Sequence, residues 1–344
     1  MKALGFREHG DIEQMQILEV PRPEPGPGEA LVEIKASALN HLDIWVCQGW
    51  PGLNLALPHI SGSDGAGVVA ALGPGVSGVE VGDRVAIDPG LNKFEDEYTD
   101  RGEHSLSPGY MILGEHVPGT GAEYAVVPAK NLFPLPDHIP FPEAAAVGLV
   151  YLTAWRMLMH RANLQAGHSV LIIGAGGGVN SASIQLAKLA GCTVYATTST
   201  AEKMRRARDL GADEVINYRD DPQWSKTLYK MTNKRGVDVV VDNVGQATLA
   251  DSLRVVARGG KIVIVGNTSG PKAQIDTRFI FGKQISIIGS TMGNHDDYRQ
   301  VMNLVLQGKL KPVIDRVWPL EKGVEAVRAM ARGEQFGKIV LTPS

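Results

Sequence analysis

Apolar runs typical of buried strands alternate with helical segments through the middle of the chain. The runs are short and rich in Val, Ile and Thr, which favours strands over buried helices. Six of them occur, at 169–173, 192–197, 214–216, 237–242, 261–265 and 284–289. Helical spacing of apolar residues separates them, around 184–189 and at 202–210, 223–231 and 247–257. This alternation predicts an α/β fold with a doubly wound, six-stranded parallel sheet.

The regions on either side of this alternation follow different patterns. Before about residue 130, short apolar segments at 30–35, 65–71 and 122–128 are separated by Pro- and Gly-rich turns, which is typical of a small barrel-like β domain. After about residue 294 the pattern predicts two helices, a short β segment and a closing strand, at 298–307, 323–331, 313–317 and 338–342. This tail is too short for a core of its own, so we expect it to pack on one of the other two regions.

The first strand of the predicted parallel sheet runs into a glycine-rich turn that opens a helix. Gly174, Gly177 and Gly178 form this turn, and Asn180 stands where a third spaced glycine is common. Glycines let the backbone approach a pyrophosphate, and the N-terminus of the helix offers free N–H groups to that anion. The turn therefore predicts a dinucleotide site.

The end of the second strand indicates which dinucleotide binds. An NAD site usually places Asp or Glu there, to accept a hydrogen bond from the adenosine ribose. This chain instead has Thr198 and Ser199, followed by Lys203 at the start of a helix. Hydroxyls, a lysine and a helix N-terminus suit an additional phosphate, so we expect NADP(H), with NAD as the alternative. Glu202 lies too far along and is expected to form a capping box with Ser199.

Composition excludes several classes of partner. The net charge of −3 is spread without a basic stripe for nucleic acid, and no apolar run approaches the roughly 20 residues that span a membrane. The two cysteines exclude a disulfide framework and predict the reducing cytoplasm. Cys192 is expected in the core, whereas Cys47 is expected in a loop-like region where it could be exposed.

Short motifs occur in a fixed order along the chain. They are Asn40-His41-Leu42-Asp43, Gly62-Ser63-Asp64-Gly65, Gly82-Asp83-Arg84-Val85, Gly121-Ala122-Glu123-Tyr124, Leu152-Thr153-Ala154-Trp155, the glycine turn and Gly337-Lys338-Ile339-Val340-Leu341. As a set they resemble the medium-chain dehydrogenase/reductase superfamily, which includes zinc alcohol dehydrogenases and quinone oxidoreductases. The resemblance implies a GroES-like, mainly β catalytic domain made of residues 1–132 and 294–344, and a Rossmann cofactor domain at 133–293.

The positions that bind the catalytic zinc in zinc-dependent members are changed in this chain. Asn40 and Leu149 stand at the two cysteine positions, and Ser63 stands at the histidine position, with Asp64 after it. Zinc prefers thiolate, imidazole and carboxylate ligands, so zinc is not expected. An atypical site that uses Asp64, His41 or Asp43 is the alternative.

The structural zinc lobe of the superfamily is changed in the same way. Lys93, Asp96, Thr99 and Ser107 occupy its four cysteine positions with the spacing kept. We expect this lobe to be held by hydrogen bonds and ion pairs rather than by metal.

The resemblance implies hydride transfer between NADP(H) and a small molecule, an activated carbonyl, enone or quinone. Its catalytic candidates are Asn40, Asp43, Ser63, Asp64 and Thr153. Its cofactor-binding candidates are His41, Gly174, Gly177, Gly178, Thr198, Ser199, Lys203, Tyr218, Asn243, Gly266, Asn267, Thr268 and Lys338. Two other functions stay open: an alcohol dehydrogenase with an atypical metal site, and a cofactor-binding protein without catalysis.

The last strand of the predicted parallel sheet carries an expectation about assembly. The run 284–290 is apolar and β-branched, and an exposed edge of this kind is a template for aggregation unless it is paired or covered. In relatives this strand pairs across a two-fold axis, which implies a homodimer or homotetramer. The alternative is that the tail helices cover the run within one chain.

Overall fold

The computed structural model describes residues 1–343, and short strands dominate its N-terminal region. The strands are β1 (Lys2–Phe6), β2 (Gln16–Glu19), β3 (Glu29–Ala38), β4 (His59–Ile60), β5 (Asp64–Leu72), β6 (Arg84–Ile87), β7 (Gly90–Asn92), β8 (Tyr110–Ile112), β9 (Tyr124–Pro128) and β10 (Leu132–Pro134). The helices of this region are α1 (His41–Gln48), α2 (Phe141–Ala145) and α3 (Gly148–Trp155).

Strands and helices then alternate, as the sequence pattern predicts. The strands are β11 (Ser169–Ile173), β12 (Thr193–Thr198), β13 (Glu214–Asn217), β14 (Val237–Asp242), β15 (Val256–Ile264) and β16 (Ser286–Gly289). The helices are α4 (Gly178–Leu189), α5 (Ala201–Asp209), α6 (Trp224–Met231), α7 (Leu249–Val255) and α8 (Thr277–Lys283). The C-terminal tail contributes α9 (His295–Leu306), β17 (Ile314–Pro319), α10 (Gly323–Ala331) and β18 (Lys338–Thr342).

The chain forms two compact units, and the first combines residues 1–152 with the residues from Gly293 onward. Its main sheet has the order β10-β6-β5-β3-β18-β17, and β9 also pairs with β3. Alternate residues of β3 such as Val32 and Ile34 are buried in its core. The tail belongs to this unit because β18 pairs antiparallel with β3, with Val340 opposite Ala38.

The second unit, residues 153–292, contains the predicted parallel sheet. Its order is β13-β12-β11-β14-β15-β16, and every pair is parallel. The strands read as apolar runs because helices cover both faces of such a sheet, and Leu171, Val240 and Ile262 are completely buried. The prediction of a doubly wound six-stranded sheet is confirmed.

Three details differ from the sequence-based expectations. Residues 133–152 belong to the first unit rather than the second, because α2 packs against β3 and β5. The expectation that Cys47 lies in a loop-like region where it could be exposed is wrong, because Cys47 lies in α1 and is completely buried. Helix α8 was not predicted, and it ends at Gln284 in the left-handed conformation. No helix among residues 1–343 combines the length and the apolar character needed to cross a membrane.

Candidate active site

The register of three strands in the first unit brings together residues that are far apart in sequence. β3 lies between β5 and β18, and its last residue, Ala38, pairs with Asp64 at the start of β5. On the other side Ala38 pairs with Val340, so the residue that follows β3 by two positions, Asn40, lies level with Lys338. The polar residues Asn40, Asp64 and Lys338 therefore meet at one end of this sheet.

These three side chains form a buried hydrogen-bonded cluster. The Lys338 ammonium donates to Asn40 Oδ1 at 2.5 Å and to Asp64 Oδ2 at 2.8 Å. The Asn40 amide donates to the same Asp64 oxygen at 3.0 Å. Lys338 is 3% exposed and Asp64 is fully buried. A buried ammonium is tolerated only when it is paired and hydrogen-bonded, so Asp64 and Asn40 are what allow Lys338 to lie here.

The start of α3 holds the other oxygen of Asp64. The Leu149 N–H donates to Asp64 Oδ1 at 2.6 Å, at the helix end where a carboxylate is favoured. This approach requires a glycine at position 148, since a Cβ there would lie 2.1 Å from the same oxygen. Sequence reasoning considered only the side chain of Leu149, and the functional group proves to be its backbone N–H.

Asp43 fixes the two segments that carry Asn40 and Asp64. Its carboxylate accepts hydrogen bonds from the Asn40 N–H at 2.7 Å and the Gly62 N–H at 2.8 Å. Burial raises the pKa of Asp43 to about 6, although these bonds and Lys338 act in the opposite direction. Asp43 is completely buried. Through these contacts the Asp43 carboxylate joins the two segments.

Ser63 and His41 flank the Asn40–Asp64–Lys338 cluster. The Ser63 hydroxyl is buried and has no hydrogen-bond partner among residues 1–343. Such an orphaned group calls for an explanation, and a ligand oxygen is one. Burial, together with the positive charge of Lys338, lowers the pKa of His41, which favours the neutral imidazole.

The glycine turn of the second unit has the features of an anion site. Gly174 has φ +82°, a conformation that favours glycine, and Gly177 precedes α4 without a side-chain cap. The first N–H groups of α4 therefore remain available to a ligand. Asn180 does not point to that ligand: its amide donates to Ile173 O at 2.7 Å and Gly174 O at 2.6 Å, so it braces the turn from within.

The ends of β12 and β13 form the predicted adenosine side of this unit. Thr198 pairs with Asn217, which brings the half-buried Ser199 and the exposed Tyr218 to the same sheet edge. The expected capping box at Ser199 is wrong by one residue, because Thr200 caps α5 by accepting from the Lys203 N–H at 3.2 Å. Arg219 follows Tyr218 and is also exposed.

The remaining candidates lie at or near the carboxyl ends of β14 and β15, except Thr153. Asn243 donates to Asn180 Oδ1 at 3.0 Å, and a Cβ at Gly266 would lie 3.1 Å from the Asn243 carbonyl oxygen. Asn267 and Thr268 are exposed in the loop after β15. The Thr153 hydroxyl in α3 is buried and lies 3.8 Å from the Met292 sulfur.

Comparison with known proteins finds two family models that match two regions of the chain. Residues 26–137 match the alcohol dehydrogenase GroES-like domain, and residues 178–307 match the zinc-binding dehydrogenase model. A zinc-type alcohol dehydrogenase-like protein of Schizosaccharomyces pombe is 33% identical, covering 98% of this chain and 99% of the relative. The chain belongs to the medium-chain dehydrogenase/reductase superfamily. It is an oxidoreductase with a GroES-like domain and a Rossmann domain.

Other members differ in their described activities. A quinone oxidoreductase of Mus musculus is 31% identical, over 99% of this chain and 97% of the relative. A crystal structure described as an NAD-dependent alcohol dehydrogenase has 44% identity and a TM-score of 0.95, with 99% of each chain covered. A 2-octenoyl-CoA carboxylase reductase, solved with NADP and 2-octenoyl-CoA, has 30% identity and a TM-score of 0.90 over 99% of this chain and 87% of the other.

The residues at the catalytic metal positions of the superfamily do not fit a zinc ion. Among residues 1–343 no three His, Cys, Asp or Glu side chains come together in a way that could hold a metal. Both oxygens of Asp64 accept hydrogen bonds, and one of them faces the Lys338 ammonium. A divalent cation at this point would face that buried positive charge.

The residues at the structural zinc positions of the lobe bond to one another. Asp96 Oδ1 accepts from the N–H groups of Tyr98 and Thr99 at 2.9 and 3.0 Å, and Asp96 Oδ2 accepts from the Ser107 hydroxyl at 2.7 Å. The Ser107 hydroxyl in turn accepts from the Gly109 N–H at 3.0 Å. Three of the four cysteine positions thus form one hydrogen-bonded network, and Lys93 is exposed outside it.

Substitution of Gly148 tests the contact between α3 and Asp64. We expect Gly148→Ala to lower the free energy of unfolding by about 1–3 kcal/mol in urea titrations, because the added methyl overlaps the carboxylate. Gly282→Ala in α8 is the matched control, since a Cβ there contacts nothing within 4 Å. The control should be neutral or up to about 1 kcal/mol more stable. Equal effects in the two variants would contradict the contact.

Substitution of Asp96 tests the network in the lobe. We expect Asp96→Asn to speed amide hydrogen exchange at Tyr98 and Thr99, whereas the exposed control Asp100→Asn leaves both amides protected. Partial burial raises the pKa of Asp96, but hydrogen bonds from Ser107, Thr99 and Tyr98 outweigh it and hold the pKa low. The ionised Asp96 therefore stabilises the folded protein at pH values above the ordinary pKa of Asp. This stabilisation is lost as the pH falls through the lowered pKa of Asp96 in the folded protein. Unchanged exchange in Asp96→Asn at neutral pH would refute the network.

Proposed function

We propose that this oxidoreductase transfers a hydride between NADP(H) and an activated carbonyl, enone or quinone without zinc. The observation that carries the proposal is the buried Lys338 ammonium, which is hydrogen-bonded to Asp64 and to Asn40, and Asn40 stands at one of the positions where zinc dehydrogenases hold their metal. A fixed positive charge is therefore already present at this end of the sheet.

Hydride transfer to a carbonyl or enone develops negative charge on oxygen, and donors fixed beforehand stabilise it. Asn40 cannot supply such a donor freely, because its NH2 group already donates to Asp64 and to the Ala38 carbonyl oxygen, and its own oxygen accepts from Lys338. Ser63 has the unpartnered hydroxyl, so we assign it the hydrogen bond to the substrate oxygen. Lys338 contributes its positive charge from within the cluster. This weaker substitute for a metal suits substrates that are already activated.

The glycine turn and the free N–H groups of α4 fit the pyrophosphate of a dinucleotide. When such a dinucleotide is bound, its nicotinamide supplies or accepts the hydride. The described relatives do not decide between the two dinucleotides, since one solved structure is named NAD-dependent and another contains NADP. The absence of an acid at the end of β12 and the presence of Ser199 and Lys203 favour NADP(H). Two buried free cysteines fit the reducing cytoplasm, where we place the enzyme.

The test of this function is NADPH oxidation by the purified protein against a panel of quinones, enones and aldehydes. We expect turnover with at least one class, less than about a tenth of a zinc ion per chain, and no effect of a chelator. Stoichiometric zinc, or turnover that is lost on chelation, would favour an alcohol dehydrogenase with an atypical metal site. Cofactor binding without turnover on the whole panel would favour a binding protein.

Cofactor preference is measured separately, by titration of the two reduced dinucleotides. We expect NADPH to bind at least tenfold, about 1.4 kcal/mol, more tightly than NADH. Lys203→Ala should weaken the binding of NADPH but not that of NADH. The control Lys309→Ala, in an exposed loop of the other unit, should change neither affinity. Equal losses for both dinucleotides in Lys203→Ala would show that Lys203 does not contact the additional phosphate.

We also propose a homodimer, or a tetramer built from such dimers. β16 is the last strand of its sheet and pairs only with β15 within that sheet, and its Ile287 and Ile288 are half-buried. An apolar edge of this kind is stable when it is paired with a second copy.

Charge substitution in β16 tests the assembly. Ile287→Lys or Ile288→Lys should convert the dimer to a monomer in light scattering at micromolar concentration. Both copies then carry the new lysine, so the two-fold interface would bury two positive charges close together. Leu189→Lys replaces an apolar side chain of α4 that is already 46% exposed, and it should leave the dimer intact. A monodisperse monomer of the unchanged chain would refute the proposal.

A further inference from the structure

A pocket of the Rossmann unit carries chemistry that hydride transfer does not use. It has a volume of about 440 Å³ and is formed by residues of α6, α7 and α8 and the turn after α6. This volume is within the range of small-molecule sites.

The pocket lies at the opposite edge of the sheet from the glycine turn. Lys234 lies just before β14, Arg254 just before β15 and Lys283 just before β16. These positions belong to the amino ends of the strands, whereas the glycine turn follows the carboxyl end of β11. The pocket is therefore separate from the dinucleotide site.

Lysine and arginine are the commonest residues of the lining, but the surface of the pocket itself is mainly apolar, because their aliphatic stems and the aromatic side chains form it. Five of the eight lining side chains are Lys or Arg and none is acidic: Lys226, Lys230, Lys234, Arg254 and Lys283. Lys226 and Lys230 are four residues apart on α6, a spacing at which like charges destabilise a helix. The exposed Lys230 and Lys234 therefore place positive charge beside an apolar space, which suits a ligand that has an anionic group and an apolar body.

Three of the cations are held in place by the protein. Arg254 donates to Asp251 at 2.7 Å, and Lys226 donates to Gln223 at 3.1 Å. The Lys283 ammonium donates to three carbonyl oxygens around the end of α7, at 2.8–3.1 Å. These contacts fix the frame of the pocket before a ligand arrives.

The other two cations have no ion-pair partner among residues 1–343. Lys230 is near the end of α6, and Lys234 follows in a turn with φ +63°, a left-handed conformation that favours glycine. The turn is held by the Lys234 N–H, which donates to Tyr229 O at 2.8 Å. A lysine kept in this conformation at the edge of a cationic pocket points to a role for its charge.

The remaining large side chains of the lining are aromatic. Tyr229 and Phe279 belong to α6 and α8, and the Lys283 ammonium lies 5.6 Å from the centre of the Phe279 ring. Aromatic faces accept a flat apolar body.

We propose that this pocket binds an organic anion with a phosphate group on a flat aromatic body. Lys230 and Lys234 bind the phosphate, and Tyr229 and Phe279 contact the ring.

Binding of 1-naphthyl phosphate to the full-length protein tests this site, by calorimetry with saturating NADP⁺ present to block the dinucleotide site. We expect one site per chain, and at least tenfold weaker binding both of 1-naphthol, which lacks the charge, and of inorganic phosphate, which lacks the ring. Lys230→Glu/Lys234→Glu should weaken 1-naphthyl phosphate at least tenfold, whereas the control Lys309→Glu should not change its affinity.

Three results would overturn the proposal. They are no binding by the unchanged protein, equal binding by Lys230→Glu/Lys234→Glu, and displacement of NADP⁺ by the probe. Equal melting temperatures of the variant and the control would show that a loss of binding does not reflect unfolding. If the double variant melts at a lower temperature than the control, the single variant Lys234→Gln replaces it. We expect this variant to bind 1-naphthyl phosphate at least threefold more weakly, and an unchanged affinity would refute the proposal.

Discussion

A buried ammonium that must have an acceptor organises the first unit of this protein. Lys338 is 3% exposed, and removing a charge from water costs several kcal/mol unless hydrogen bonds and an opposite charge replace the solvent. Asp64 and Asn40 provide that replacement. Asp64 can do so only because the Leu149 N–H holds its other oxygen and Gly148 leaves room for the approach. The positions of β3, β5, β18 and the start of α3 are thus linked through one side chain.

The same physical solution occurs at both places where the superfamily can hold zinc. Near the end of β3, Asn40 at one of the metal positions bonds to Lys338 and to the neighbouring Asp64. In the lobe, Thr99 and Ser107 at two of the metal positions donate to Asp96 at a third. In each case a carboxylate accepts several hydrogen bonds at short range. Such bonds fix local geometry as a metal does, but they supply no strong Lewis acid. This difference is the reason why the proposed function is restricted to substrates that are already activated.

Local patterns in the sequence were sufficient for the six strands of the Rossmann unit, although helix α8 was not predicted. Its strands are short β-branched runs separated by helices, and right-handed crossovers leave few topologies for such an alternation. The glycine turn was recognised because its function depends on neighbouring residues in the chain. Local reasoning was wrong where a boundary moved by one residue, as with Thr200 in place of Ser199, or where a helix was short, as with Cys47 in α1.

The candidate active site could be predicted only as a set of residues. Motif resemblance singled out Asn40, Asp64 and Lys338, but their contact depends on the register of β3 with β5 on one side and β18 on the other. That register joins residues almost 300 positions apart in sequence, and no local pattern encodes it. The cationic pocket was missed for the same reason, since its lining comes from three helices and a turn.

The most direct test of this account is a double-mutant cycle on Lys338 and Asp64, measured as free energies of unfolding in urea. Lys338→Met and Asp64→Asn each leave one partner buried without its counter-charge, so each should cost about 3–5 kcal/mol. If the two side chains form one unit, the double variant should cost at least about 1.5 kcal/mol less than the sum of the single variants. Costs that add to within about 0.5 kcal/mol would show that the ammonium and the carboxylate act independently, which would contradict the account.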